Sequence, residues 1–246
     1  YVYRDGVYRE VSPEFFKHEV HEKLGDRYRN NRGVEVLQQL LTASWRPPGF
    51  FREDLEEINV ANGILNWRTG QLRPHSPDYF GRIQLPVAYD PAADCPRSRK
   101  FISEVVEPDC VDLVAEIFGS LLIPDCTMQK AILLLAGGEN GKSVLLALAT
   151  ALLGRNNVAH ESLQDLCDNR FRAANLLGKL ANVFADLPSG FVEESSIFKI
   201  LATGEPLSAE RKGKDPFTFR NTARMIFSAN ALPKGNDNSH GFSRRW

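Results

Sequence analysis

The stretch from Ala131 to Gly154 limits the possible folds of this chain more than any other. Ala131-Ile132-Leu133-Leu134-Leu135 is a short unbroken apolar run, as a buried parallel strand requires. It feeds directly into Ala136-Gly137-Gly138-Glu139-Asn140-Gly141-Lys142-Ser143. Val144 to Leu153 follows with helix-forming residues throughout, and Gly154 stands as its C-terminal stop. Strand, glycine-rich turn, Lys-Ser pair and helix, in that order, predict a phosphate-binding loop in an α/β domain. Glycines let the backbone curl so that successive N–H groups point inward, and the helix N-terminus adds partial positive charge. Lys142 is spaced to reach nucleotide phosphates, and the Ser143 hydroxyl to ligate Mg²⁺. The strict pattern has Gly where this chain has Ala136, the outermost position and the most tolerant of a methyl group. A chance glycine turn before a helix is the competing reading, and the flanking strand and helix weigh against it. The motif predicts nucleotide binding and says nothing of what hydrolysis drives.

Charge limits the partners. Thirty Lys and Arg stand against 31 Asp and Glu, so a whole-surface grip on nucleic acid is not expected and any contact must come from a local patch. With 246 residues and 43% hydrophobic, the chain can bury one good-sized core and a smaller second one, in one to two domains. The longest nearly unbroken apolar run, Val144 to Leu153, is about ten residues and too short to span a bilayer. No signal-peptide pattern opens the chain, so no membrane partner and a cytoplasmic location are expected. The chain does not begin with Met and stops at Trp246, which suggests a fragment or trimmed product. Cys95, Cys110, Cys126 and Cys167 form no C-x-x-C pair and have no His at zinc-ligand spacing, so they are read as buried free thiols. His18-Glu19-Val20-His21 lacks the second spacer residue of a zincin helix and is not read as a metal site.

Helical spacing of apolar residues predicts helices over 12–24 and 33–43. Asn62-Gly63 and Thr69-Gly70 punctuate Ile58, Val60, Ile64, Leu65, Trp67 and Leu72, which predicts short strands and tight turns. Pro86, Pro91 and Pro96 mark a connector, followed by helical stretches over 101–106 and 111–122.

Three later segments narrow the chemistry. Leu180 to Asp186 is an apolar strand ending in an acid; it is expected beside the phosphate-loop strand, with Asp186 near the metal. The alternative is a strand-end Asp capping a turn before Pro188. Pro206 to Phe219 reads as two strand-like arms flanking a basic, glycine-containing tip with Arg211, Lys212 and Lys214. That cluster suits the backbone of a single DNA strand, although an ordinary solvated turn has the same composition. Arg224 to Asn230 is a further apolar strand with a polar end, where Asn230 is either a γ-phosphate sensor or a plain turn residue.

Taken together, G-G-E-N-G-K-S at 137–143, G-K-L-A-N-V-F-A-D-L at 178–187, K-I-L-A-T-G-E-P-L-S-A-E-R-K-G-K at 199–214, M-I-F-S-A-N-A-L-P at 225–233 and D-N-S-H-G-F-S-R-R-W at 237–246 resemble the superfamily 3 helicases. Within them the match is to the phage/plasmid primase-helicase and poxvirus-type branch, and it extends upstream to about residue 58. The resemblance implies an AAA+-like P-loop NTPase core over 99–246, preceded by a smaller α+β N-terminal domain over 1–98. It implies ATP at Gly137, Gly138, Glu139, Asn140, Gly141, Lys142 and Ser143, Mg²⁺ held by Ser143 and Asp186, and Asn230 as the sensor. Arg211, Lys212 and Lys214 would track single-stranded or forked DNA, and Arg244 or Arg245 would serve as an arginine finger in a homo-hexameric ring. A primase or polymerase domain is the implied partner. Many relatives have a second acid where this chain has Leu187, so the general base is unassigned, with Glu193 and Glu194 nearby. A non-motor nucleotide-binding scaffold and a small-molecule kinase are the competing functions.

Overall fold

The computed structural model describes residues 1–47, 50–51, 54–138, 140–187, 196–231 and 239–246. A small hairpin opens the chain, β1 (Val2–Arg4) against β2 (Val7–Arg9), with Arg4 opposite Val7. Its two-residue loop, Asp5-Gly6, has φ of 51° and 83°, the paired left-handed conformation that matches strand twist in a tight hairpin. Then come α1 (Pro13–Leu24), capped by the Ser12 hydroxyl, and α2 (Asn30–Ala43). β3 (Glu57–Val60), β4 (Gly63–Asn66) and β5 (Gln71–Arg73) form an antiparallel meander, as the turn residues predict. α3 (Pro96–Val105) begins five residues before the predicted start. Pro96 occupies the first turn, where its fixed φ and missing N–H are harmless, rather than ending the connector. α4 (Val111–Ser120) follows.

The remaining elements build the main sheet and its cover. They are β6 (Ile132–Leu135), α5 (Lys142–Leu153), β7 (Val158–Ala159), α6 (Leu163–Asp168), β8 (Ala181–Phe184), α7 (Ser196–Thr203), β9 (Pro206–Ala209), β10 (Phe217–Arg220), β11 (Arg224–Ala229) and α8 (His240–Ser243). The sheet is parallel, in the order β6-β11-β8-β7. This corrects one expectation: β8, which leads to Asp186, does not lie beside β6. β11 stands between them, pairing Ile226 with both Ile132 and Val183. All six residues of β11 are buried, as a central strand covered on both faces must be.

Alternation along β11 separates two cores. Met225, Phe227 and Ala229 join a cluster with Phe198 and Leu201 of α7, while Ile226 faces the other way into a cluster with Leu146, Leu153 and Val183. The second cluster also contains Ile58, Val60, Leu65, Ile83 and Leu85, so the meander packs on the α5 side of the sheet across the boundary expected near residue 98. Phe198 is fully buried, stacked on Trp246 at 4.6 Å and edge-on to Phe242 at 5.3 Å. Phe198→Ala is therefore expected to lower stability by about 3–5 kcal/mol, read as a lower urea midpoint at unchanged slope.

The cysteines depart from the uniform burial expected of them. Cys126 is buried, Cys110 and Cys167 are half-buried, and Cys95 is exposed. Burial pushes the Cys126 thiol up to about 11, so it stays protonated at neutral pH. Among the described residues, no helix is long and apolar enough to cross a membrane.

Candidate nucleotide-binding site

Three parallel strands deliver the site. Ala229 is level with Leu135, and Phe227 with Phe184, so the residues that follow β6, β11 and β8 emerge on one edge of the sheet. Ligands of open α/β sheets bind outside that carboxyl edge. The glycine-rich turn follows β6, Asn230 follows β11, and Asp186 follows β8. Glu139, Glu193 and Glu194 lie outside the described residues.

The turn is shaped by its glycines. Gly141 has φ +80°, and a Cβ there would stand 2.7 Å from Cγ1 of Val105. At Gly137 and Gly138 a Cβ would meet nothing within 4 Å, so the backbone there faces open space. Gly141 is also the N-cap of α5 and provides no side-chain hydrogen bond, whereas Ser12, Ser162 and Ser239 cap α1, α6 and α8. Among the described residues, the first amides of α5 thus have no side-chain acceptor at the positive end of a twelve-residue helix.

Lys142 bends back over this turn. Its Nζ lies 2.5 Å from the Ala136 carbonyl, 3.0 Å from that of Gly137, 3.0 Å from Asn140 Oδ1 and 3.3 Å from Asn230 Oδ1. Four neutral acceptors thus share three N–H donors, and a phosphate oxygen would be the stronger partner for any of them. Asn140 Nδ2 donates in turn to the Gly137 carbonyl. The contact with Asn230 joins residues 88 positions apart and brings the turn and the end of β11 together.

Asp186 is exposed and has φ +52°, a left-handed conformation that Asp tolerates better than most residues. Ser228 sets it there: the Asp186 amide donates to Ser228 Oγ at 3.2 Å, and the Leu187 amide to the Ser228 carbonyl at 2.7 Å. Ser228 was missed at the sequence level, although it is the one hydroxyl inside the apolar run from Met225 to Ala229. Leu187 belongs to the core cluster and is only 4% exposed, so this position supplies no carboxylate to the site. Ser143 is exposed on the first turn of α5. A hydroxyl and an exposed carboxylate are the hard oxygen donors that Mg²⁺ takes, and the open backbone at Gly137 and Gly138 leaves room for phosphates, so these residues fit both groups.

The basic hairpin is separate from this site. β9 pairs with β10, Ala209 opposite Phe217, and Arg211, Lys212 and Lys214 are exposed on the connecting tip. Asn221, just after β10, donates to the carbonyls of Leu201 and Ala223 at 2.8 Å each, which roots the hairpin where β11 begins, at the amino edge of the sheet. The two terminal arginines also differ. Arg245 is 8% exposed and donates to the Gly241 carbonyl, so its guanidinium is packed inside the chain. Arg244 is exposed, with its guanidinium 3.3 Å from Gln129 Oε1. The Ala131 amide donates to the Arg245 carbonyl at 2.6 Å, which places both arginines at the start of β6, away from the turn that follows it.

Comparison with known proteins divides the chain in two. Residues 4–107 match a family model described as D5 N terminal like, and residues 134–245 match a family of unknown function, DUF5906. Among solved structures, an apo structure of the NrS-1 C terminal region is similar at 17% identity, over 61% of this chain and 37% of that one, with a TM-score of 0.49. A structure of JCV helicase bound to an acetamide compound is similar at 14% identity, over 95% of this chain and 64% of that one, with a TM-score of 0.41. The chain thus spans 37% of the NrS-1 region and 64% of the JCV helicase chain. Every residue of the candidate nucleotide site, the basic hairpin and both terminal arginines lies within the segment matched by DUF5906.

Proposed function

We propose that this chain is an ATP-driven DNA helicase motor of phage/plasmid-type replication, working as a homo-hexamer and hydrolysing ATP between subunits. The observation that carries this reading is the convergence of Lys142 and Asn230 at the uncapped head of α5. The phosphates of ATP would lie against residues 137–143, with Lys142 exchanging its carbonyl partners for β- and γ-phosphate oxygens. Asn230, left at the γ-phosphate end, would orient the attacking water. Ser143 and Asp186 would hold Mg²⁺, which neutralises developing charge on the phosphates. Arg244 is remote from its own chain's glycine-rich turn, so it would act on the nucleotide of a neighbouring subunit. Arg211, Lys212 and Lys214 would engage one DNA strand, and a primase or polymerase domain would act beside the motor.

An ATPase assay with and without single-stranded DNA tests this, run beside sedimentation to detect ring formation. Lys212→Ala/Lys214→Ala is expected to lose most of the DNA stimulation while basal hydrolysis persists. Full stimulation in that variant would remove the tracking role.

The buried Leu187 favours one second reading, a nucleotide-binding replication scaffold without useful turnover. ATP binding with no hydrolysis, with or without DNA, would select it.

A further inference from the structure

A cleft of about 640 Å³ opens at the amino edge of the parallel sheet, on the side away from the glycine-rich turn. Residues 154–157, between α5 and β7, and 177–179, just before β8, form its floor. The Leu180 amide donates to the Asn157 carbonyl at 2.8 Å and ties these two segments together. One wall is β2, held in place by the Tyr8 amide on the Gly81 carbonyl at 3.0 Å and by Gln84 Nε2 on the Asp5 carbonyl at 2.8 Å. Arg211, from the basic hairpin, completes the lining.

Arg9, Arg82, Arg155, Lys179 and Arg211 line the cleft, and Glu10 is the one carboxylate among the described lining residues. In a chain with 30 basic and 31 acidic residues, such a local excess is not the average surface. Arg9, Arg155 and Arg211 are exposed. Lys179 is half-buried with its Nζ 2.5 Å from the Asn156 carbonyl, and burial draws its ammonium below the ordinary value. An anion beside it would offset that desolvation. The Tyr8 side chain, packed against Phe80 at 5.9 Å between ring centroids, is on the same wall and adds an aromatic surface.

Cations along a groove, interleaved with an aromatic ring and continuous with an exposed basic tip, suit a polyanion with stackable bases. We propose that this cleft is a second contact for single-stranded nucleic acid, the strand passing from Lys212 and Lys214 along Arg211 into the groove between β2 and the sheet. The inference rests on the DNA-motor reading and extends it to residues outside the hairpin. A small phosphorylated ligand would satisfy the same cations but leave Tyr8 and the continuation to the hairpin tip unused.

The test titrates the full chain with a labelled oligodeoxythymidylate in a salt series without ATP. Arg9→Glu/Arg155→Glu is expected to weaken binding about tenfold or more and to lower the salt slope by roughly 1–2. Basal ATP hydrolysis should be unchanged, because neither residue is near the glycine-rich turn. Arg155→Gln, a milder change at an exposed position, should shift affinity in the same direction. Unchanged affinity and slope in both variants would overturn the proposal. So would displacement of the strand by inorganic tripolyphosphate at equal charge concentration, which would make the cleft a small-phosphate site. Lys212→Ala/Lys214→Ala in the same titration separates the two levels of failure. If that variant alone binds weakly, the cleft is excluded and the motor reading stands; if neither variant differs from the parent, the DNA reading itself falls.

Discussion

Lys142→Ala is expected to lower ATP turnover by about 10²–10³-fold, as loss of a positioned donor at a transition state does. A hundredfold loss corresponds to roughly 2.7 kcal/mol. Among the described residues, Nζ reaches carbonyls of the turn and the side chains of Asn140 and Asn230, and none of these contacts belongs to either hydrophobic core. The urea midpoint should therefore move little, which separates loss of chemistry from loss of fold. Turnover in the presence of single-stranded DNA and equilibrium binding of a fluorescent ATP analogue, measured on the same preparation, give both quantities. Wild-type turnover in the Ala variant would mean that the turn around Gly141 is not where ATP is hydrolysed.

The second large effect is expected at Arg244. An arginine supplied in trans is worth ~10³–10⁵ in rate. Arg244→Ala should thus bind ATP normally and hydrolyse it at least about a thousandfold more slowly once subunits assemble. Adding the variant to the wild-type chain should depress activity more steeply than dilution alone, since in the proposed ring each variant subunit would disable a neighbour's site. Arg245→Ala should behave differently. Its guanidinium is packed inside and bonded to the Gly241 carbonyl, so its loss should register as a lower urea midpoint rather than a selective loss of hydrolysis. If Arg245→Ala were the variant with intact stability and lost turnover, the assignment of the two would be reversed.

What could be read in the sequence follows from distance along the chain. The strand, glycine-rich turn and helix from Ile132 to Leu153 are consecutive, so apolar spacing and turn chemistry define them without reference to anything else. The same holds for the β9–β10 hairpin, whose arms are separated by seven residues including Gly213 at φ +74°. The opening hairpin is equally local, with Asp5-Gly6 as its two-residue turn signal, but its three-residue arms are too short to show a strand period. Ser228 and the split between Arg244 and Arg245 were not accessible in this way. A serine inside an apolar run looks like a weak spot until the strand beside it is known, and two adjacent arginines are equivalent until one is packed.

The order of the sheet explains the remaining difference. Parallel strands are joined by long crossovers, so the segment between two strands does not say which third strand will lie between them. By itself the sequence determined that a lysine stands at the head of a helix behind a strand, and that a basic hairpin follows. Only the tertiary structure decided that β11 enters between β6 and β8, and it thereby brought Asn230 to Lys142 and put Ser228 under Asp186. Only the packing of α5, β8 and β2 around one edge gathered Arg9, Arg155, Lys179 and Arg211 into a single cleft. The physical reason is the same in both cases: these groups meet through strand pairing and burial across long separations, and no local pattern of residues encodes such a meeting.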